Sequence, residues 1–424
     1  MSGDSIDQWR QTLTPDQIGN WFPPVMVYLW IVLNKLTFGP QGMLIFHYLL
    51  YFLSIYGFSR LFLRKLSHRA IYITGIGLFP PLFFLTGVIW KDVSLLVGIA
   101  NAMMFLLFFE RNRRTIFLVL SLLCFLYGIL VRHNGLICAI PYSFYAATIL
   151  FHRKFQFRTL AITVTVIAMT VFFYASNRII SNYWIKEDWK VHYFENAVFI
   201  WDLWGMSIEI GKNVVPAYVF NKQSKNLDIN EMKAHYNPET NNVIYLMQYI
   251  TPNRFKRDFP NTDFKKDFIR TILEYPDAYL KVRSRITWFM LGGRDPILPY
   301  LFKIQKFPQE HYLHPFSKDL MSHNERFLDI CHRIAKLLHD YSPLYKMWIY
   351  LFLALLQTLF FMFNQSGNQQ NRPFLLILII GLFYWLPYFI ISPATDFRLS
   401  SLTIFCTVLI LPFFVSKLIR NQHG

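Results

Sequence analysis

Three short polar clusters interrupt the apolar runs of this 424-residue sequence: Trp90-Lys91-Asp92, Arg132-His133-Asn134 and Asp396-Phe397-Arg398. Each holds a cation, and two hold a carboxylate beside it. That combination suits a pocket that binds a phosphate next to a group that must take up a proton. The N-terminus adds Asp4 and Asp7, whose i, i+3 spacing would put both carboxylates on one side of a helix. Taken singly, each cluster reads as a polar turn anchored at a membrane interface, and the terminus as a solvated tail. The reading changes if all of them come to the same side.

The elements that must position these groups are membrane spans. With 54% hydrophobic and only 16% charged residues, the composition is that of an all-α polytopic membrane protein. Apolar runs near spanning length fall at about 42–62, 70–89, 93–109, 115–131, 135–151, 159–177, 346–363, 373–391 and 398–416. A tenth run, 22–38, opens on Pro23-Pro24, contains Asn34 and Lys35, and either crosses the membrane or lies in its interface as an amphipathic helix. If it crosses, residues 1–21 are cytoplasmic; if it lies in the interface, they are outside.

The connections carry the orientation. Arg60, Arg64, Lys65 and Arg69, then Arg111, Arg113 and Arg114, then Arg153, Lys154 and Arg158, then Arg372, Lys417 and Arg420 fall on one face. The opposite short turns hold one cation each, Lys91, Arg132 and Arg398. The positive-inside rule puts the first set in the cytoplasm, so the three polar turns and the segment 178–345 are expected on the extracytoplasmic side. Topology thus accounts for the net charge of +17, and nucleic acid is not an expected partner. The expected domains are 1–41, a first outer loop with the interfacial helix 22–38; 42–177, six spans; 178–345, a helical extracytoplasmic domain; and 346–424, three spans.

Within 178–345, helical periodicity recurs with its stop and start signals. Thr262 precedes Phe264, Phe268 and Ile272 on one face; Pro276 interrupts; a second run from Asp277 through Trp288 ends at Gly292-Gly293. A third run carries Leu320, Phe327, Ile330, Ile334 and Leu337 until Ser342-Pro343. Arg283 and Arg285 read as surface residues of the second run. His311 and His314 read as a solvated pair, because no third metal ligand is evident. Cys124, Cys138 and Cys406 lie in apolar runs and Cys331 stands alone, so no disulfide or CxxC metal site is expected. His47 is the sole ionisable side chain well inside a run, which argues against an ion pump. A Walker loop and a GxGxxG are both lacking, so nucleotide hydrolysis and dinucleotide chemistry are not expected.

The order of these motifs resembles a known family. An acidic motif, a Trp-rich stretch, then Pro-Pro, a helix and a Gly, here Asp4 to Gly39, is similar to the first outer loop of GT-C fold glycosyltransferases. Trp90-Lys91-Asp92-Val93 looks like that family's second acidic position, and Pro393-x-x-Asp396-x-Arg398 resembles its last outer turn. Within the family the likeness is to bacterial enzymes that use polyprenyl-phosphate sugars, such as the lipid A aminoarabinose transferases and mannosyltransferase-like group. Family members normally begin with a transmembrane helix ahead of the first loop, whereas this sequence starts at Met1 within the stretch that resembles the loop. Phe22 stands where a His or Lys often precedes the prolines, so no role is carried to it.

The resemblance implies a GT-C-like bundle of nine or ten transmembrane helices in the bacterial inner (plasma) membrane, with its active site facing outward. It implies a polyprenyl-phosphate-linked sugar as donor and a glycan, lipid or protein as acceptor, and transfer with inversion. It assigns the base to Asp4 and the second carboxylate to Asp92. Lys91, Arg132 and Arg398 are candidates for the donor phosphate, with Asp7, Trp90, His133, Asn134 and Asp396 as further pocket lining. No cofactor is expected, and a divalent metal is left open. The alternatives are an O-antigen polymerase or ligase, for which Asp4 would be dispensable and an outer-loop Arg or His essential, and a lipid-linked-glycan flippase, which would transport without a covalent product.

Overall fold

The computed structural model describes residues 1–19, 21, 23–37, 39–151, 157–186, 189, 196–220, 228–241, 261–293, 309, 313–317, 325–364 and 368–422. Phe22, Arg153, Lys154, His311 and Leu320 lie outside the described residues. The helices of seven or more residues are α1 (Gly3–Leu13), α2 (Val25–Asn34), α3 (Gln41–Phe62), α4 (Leu66–Gly77), α5 (Pro80–Thr86), α6 (Lys91–Asn112), α7 (Thr115–Leu130), α8 (Ala139–Leu150) and α9 (Arg158–Tyr183). They continue as α10 (Asn196–Ile210), α11 (Ile229–His235), α12 (Asn261–Glu274), α13 (Pro276–Leu291), α14 (Glu325–Tyr341), α15 (Met347–Phe363), α16 (Asn368–Trp385) and α17 (Ser401–Gln422). Among the described residues there is no strand, only an isolated bridge between Thr240 and Ala394.

Five helical stretches are long and apolar enough to cross a membrane: Gln41–Phe62, Lys91–Asn112, Arg158–Ile180, Gln370–Ile391 and Phe397–Arg420. The run 70–89, expected as one span, is instead α4 and α5, bent by 67°. Pro80 is the cause: without an N–H it cannot continue the preceding turn, but at N1 it starts a new helix. The runs at 115–131, 135–151 and 346–363 form shorter apolar helices. Nine or ten full-length spans therefore reduce, among the described residues, to five, or six with the bent pair. The ambiguous run at 22–38 holds only the ten residues of α2, which rise about 15 Å against a hydrocarbon core of about 30 Å. Too short to cross by itself, α2 stands with α7, α8 and α15 among the shorter apolar helices.

The chain folds as two compact units. The first comprises Met1–Lys190, Leu298–Trp385 and Arg398–Gly424. Its centre is α6, the most buried of the long apolar helices, packed between α3 and α7. Gly98 and Gly128 let α6 and α7 meet backbone to backbone: a Cβ on Gly98 would stand 2.7 Å from the Gly128 Cα. At the other extreme, 6% of the apolar window of Arg158–Ile180 is buried, and Val164, Ile167, Val171 and Phe172 are exposed. An apolar surface of this length needs an apolar solvent. Helix α14 packs Cys331, Ala335 and Leu338 on Phe83 and Phe84, and leaves Phe327, Ile330, Ile334 and Leu337 outward.

The second unit comprises Val191–Ile297 and Leu386–Phe397. Its core is built by α10 to α13 around Trp201, Trp204, Met232, Phe264, Val282 and Ile286. The indoles of Trp201 and Trp204 donate to the Asn237 and Met232 carbonyls at 2.9 and 3.1 Å, so their polar edges are satisfied inside the core. As the sequence pattern predicts, α13 begins at Pro276 and stops at Gly292, whose φ of 97° is a left-handed value suited to glycine. The segment 386–397 is tied to this unit through its backbone: Asn241 N donates to Pro393 O at 3.1 Å, and Thr395 N to Glu239 O at 2.8 Å.

Candidate functional site

Within the first unit, four chain segments far apart in sequence bring their polar groups together. Helix α1 is capped by Ser2, whose Oγ accepts from the Ser5 amide at 3.3 Å and from the Trp90 indole at 2.6 Å. Ser5 Oγ in turn donates to the Ile89 carbonyl at 2.7 Å. These bonds pin the first turn of α1 to the turn that precedes α6, and Asp4 is carried there between Ser2 and Ser5.

Asp4 Oδ2 accepts from Arg398 Nη1 at 3.0 Å, and the guanidinium of Arg398 lies 4.7 Å from the centroid of the Trp90 ring. A cation held between a carboxylate and an aromatic face keeps its orientation. Lys91 is within electrostatic reach of Asp4, Asp92, Arg132 and Arg398. Burial alone would raise the Asp4 pKa, but Arg398, Lys91 and Arg132 together outweigh it and hold the carboxyl below its ordinary value. Asp4 is therefore ionised at neutral pH.

Behind Asp4 lies a buried ion pair. Asp92, with no exposed surface, accepts through Oδ1 from Arg132 Nη1, itself 7% exposed. The backbone approach of α6 and α7 at Gly98 and Gly128 aligns the two helix ends that carry them. The pair stands at the N-terminal turn of α6, where the helix dipole favours a carboxylate. Asp92 Oδ2 is buried and makes no hydrogen bond among the described residues, so it is an acceptor held in reserve beside the cations.

The structure thus joins Asp4, Trp90, Lys91, Asp92, Arg132 and Arg398. Asp7 is engaged within α1 by Arg10 at 3.0 Å and Gln11 at 3.2 Å, an intrahelical pairing that spacing alone permits as readily as a shared pocket. Asn134 is half-buried in the 3₁₀ turn His133–Cys138 and makes no hydrogen bond among the described residues; the side chain of His133 lies outside them. Asp396 belongs to the second unit. Among the described residues no three His, Cys, Asp or Glu side chains gather as metal ligands.

Two further findings were not foreseen. Ser2 and Ser5 are structural to the site, and nothing in a serine two residues from the start of a chain signals a bond to an indole 88 residues away. Arg283 is no surface residue: it is 4% exposed and binds Asp202 through Nε and Nη2 while Nη1 donates to Ser392 O at 3.2 Å. The signal was there in Asp202, a lone carboxylate inside the apolar run of α10 that needs a buried partner. Arg285 does sit at the surface, on Glu209 at 2.7 Å. No protein-family model, curated protein or solved structure matches this chain.

Proposed function

We propose that this chain is a membrane-embedded glycosyltransferase of the GT-C type, moving a sugar from a polyprenyl-phosphate donor to an acceptor hydroxyl on the extracytoplasmic face. The observation that carries this reading is the convergence of one ionised carboxylate, Asp4, with Lys91, Arg132 and Arg398 around Trp90. With the bent pair α4–α5 as one element and α7, α8 and α15 added, the five long helices become the nine membrane elements of the proposal, and with α2 in the interface residues 1–21 lie outside with the three polar turns.

The chemistry follows from the charges. The acceptor hydroxyl loses its proton to Asp4 as its oxygen forms a bond to the anomeric carbon, on the face opposite the phosphate. The bond from that carbon to the phosphate oxygen breaks, the electron pair leaves with the lipid phosphate, and the configuration inverts. Lys91 and Arg398 meet the phosphate charge as it develops, where each interaction is strongest in the transition state. Arg132 holds Asp92, and this buried pair fixes the turn that carries Lys91. A donor phosphate on Arg398 also draws that guanidinium away from Asp4, which raises the carboxylate's proton affinity when substrate is in place.

The experiment is a panel of polyprenyl-phosphate sugars supplied, together with candidate glycan, lipid or protein acceptors, to the purified protein in proteoliposomes, with release of polyprenyl phosphate measured. A transferase releases it, with the sugar recovered in a covalent product. Movement of the intact donor across the bilayer with no release would identify a transporter instead.

A further inference from the structure

A cavity of about 540 Å³ lies in the first unit between the far ends of the long helices, well away from the cluster around Asp4. Its polar lining comes from Glu110 and Arg111 at the C-terminal end of α6, Gln370 on α16 and Lys417 on α17. Leu61, Phe62, Leu107 and Phe374 make apolar walls. Glu110 is eighteen residues along α6 from Asp92, or about 27 Å, so the two polar regions mark opposite ends of one spanning helix.

We propose that this cavity is a lipid-headgroup site that takes the phosphate of an anionic glycerophospholipid. Three observations carry the proposal. First, the charge is set for an anion. Arg111 and Lys417 are two cations against one carboxylate, and Glu110 is engaged, accepting from the Tyr145 hydroxyl at 2.7 Å. Second, the cations are held in place. Lys417 donates to Asn371 Oδ1 and lies 5.7 and 5.9 Å from the ring centroids of Phe361 and Phe374, while Arg111 Nη1 donates to the Leu61 carbonyl at 3.3 Å. An ammonium and a guanidinium fixed on aromatic and carbonyl partners keep N–H groups free for a phosphate at little further entropic cost.

Third, the walls fit a lipid better than a free ion. A phosphate alone needs a small polar pocket, and here the volume is several times larger and its sides are apolar. The cavity opens at the ends of helices that are themselves long enough to cross a bilayer, where a headgroup lies beside its own acyl chains. The site is independent of the transfer chemistry: none of its residues belongs to the cluster around Asp4.

The test uses the full chain, stripped of lipid in detergent and examined by native mass spectrometry with phosphatidylglycerol, phosphatidylcholine, diacylglycerol or inorganic phosphate. Wild-type protein should retain phosphatidylglycerol best and diacylglycerol least. The double variant Arg111→Gln, Lys417→Gln should retain about tenfold less phosphatidylglycerol, and Lys417→Arg should retain it as wild type. Leu61→Trp, which narrows the cavity and keeps both charges, should also lose the lipid; it decides the matter if the double variant fails to fold. Equal retention of phosphatidylglycerol and diacylglycerol, or retention unchanged in both the double variant and Leu61→Trp, overturns the proposal. Displacement of phosphatidylglycerol by an equal concentration of inorganic phosphate overturns the lipid assignment, since it would reveal a free-phosphate site.

Discussion

The residue that organises the proposed chemistry is Arg398, because it touches both the base and the aromatic wall. On Asp4 it acts as an electrostatic anchor that keeps the carboxylate ionised; over Trp90 it is a cation 4.7 Å from the ring centroid. Arg398→Ala should therefore raise KM for a polyprenyl-phosphate donor about tenfold or more, with Arg398→Lys restoring part of the charge but not the bidentate fork. Arg398→Ala should also move the acid limb of the pH profile upward. In the intact protein Asp4 sits below its ordinary value, so activity should persist in acid and fall only as pH drops through that lowered pKa; removing Arg398 returns the limb toward the ordinary Asp range. A profile that does not shift on this substitution would separate Asp4 from the rate.

Much of this could be seen in the amino-acid sequence. Lys91, Asp92, Arg132 and Arg398 occupy short turns between apolar runs, and hydropathy with charge counting places such turns on one face. What the pattern leaves out is pairing. It does not tell Asp4, which reaches Arg398, from Asp7, which bonds within its own helix, since both satisfy the same i, i+3 rule.

At the scale of elements, the site depends on how closely α6 and α7 approach. Gly98→Ala would put a methyl 2.7 Å from the Gly128 Cα, closer than real contacts allow, so the helices must part. The expected cost is about 1–3 kcal/mol, read as a lower midpoint of thermal unfolding in detergent, together with weaker donor binding as Arg132 shifts from Asp92. An unchanged midpoint would mean that the two helices have slack. In the second unit the corresponding dependence is the buried pair. Arg283→Ala leaves the buried Asp202 carboxyl, whose pKa burial already raises to about 7, without the guanidinium that opposes that rise, and should destabilise by about 3–5 kcal/mol, whereas Asp202→Leu with Arg283→Met should cost far less. Equal losses in the single and double variants would show that the volume matters and the charge does not.

Element boundaries were less legible than element positions. The hydropathy of 70–89 is continuous, but Pro80-Pro81 restart the helix and bend the run by 67°, which a window average does not register. The same averaging stretched α2, ten residues long, into a run of 22–38. By contrast α12 and α13 fall where periodicity and the Pro and Gly signals put them, whereas α14 ends where Ser342-Pro343 puts it but turns Phe327, Ile330, Ile334 and Leu337 outward.

For the whole molecule the account requires sidedness: α1 and the turns at Trp90, Arg132 and Arg398 on one side of the bilayer, the cations of the opposite turns on the other. Leu13 and Arg420 are both exposed, Cys138, Cys331 and Cys406 are buried, and Cys124 is half-buried, so single-cysteine labelling in a Cys124→Ser background has little competing signal. A membrane-impermeant maleimide should label Leu13→Cys in intact spheroplasts and Arg420→Cys only after lysis. Labelling of Leu13→Cys only after lysis would remove Asp4 from the proposed outer site, and labelling of Arg420→Cys in intact spheroplasts would reverse the topology at the C-terminal end.

The central claim is that Asp4 takes the acceptor's proton beside a lipid phosphate, and turnover by Asp4→Asn protein tests it most directly. Release of polyprenyl phosphate should fall by about 10²–10⁴-fold, with donor binding preserved, because the amide keeps the shape of the carboxylate and loses only its basicity. Release at the wild-type rate from purified, folded Asp4→Asn protein would contradict the account.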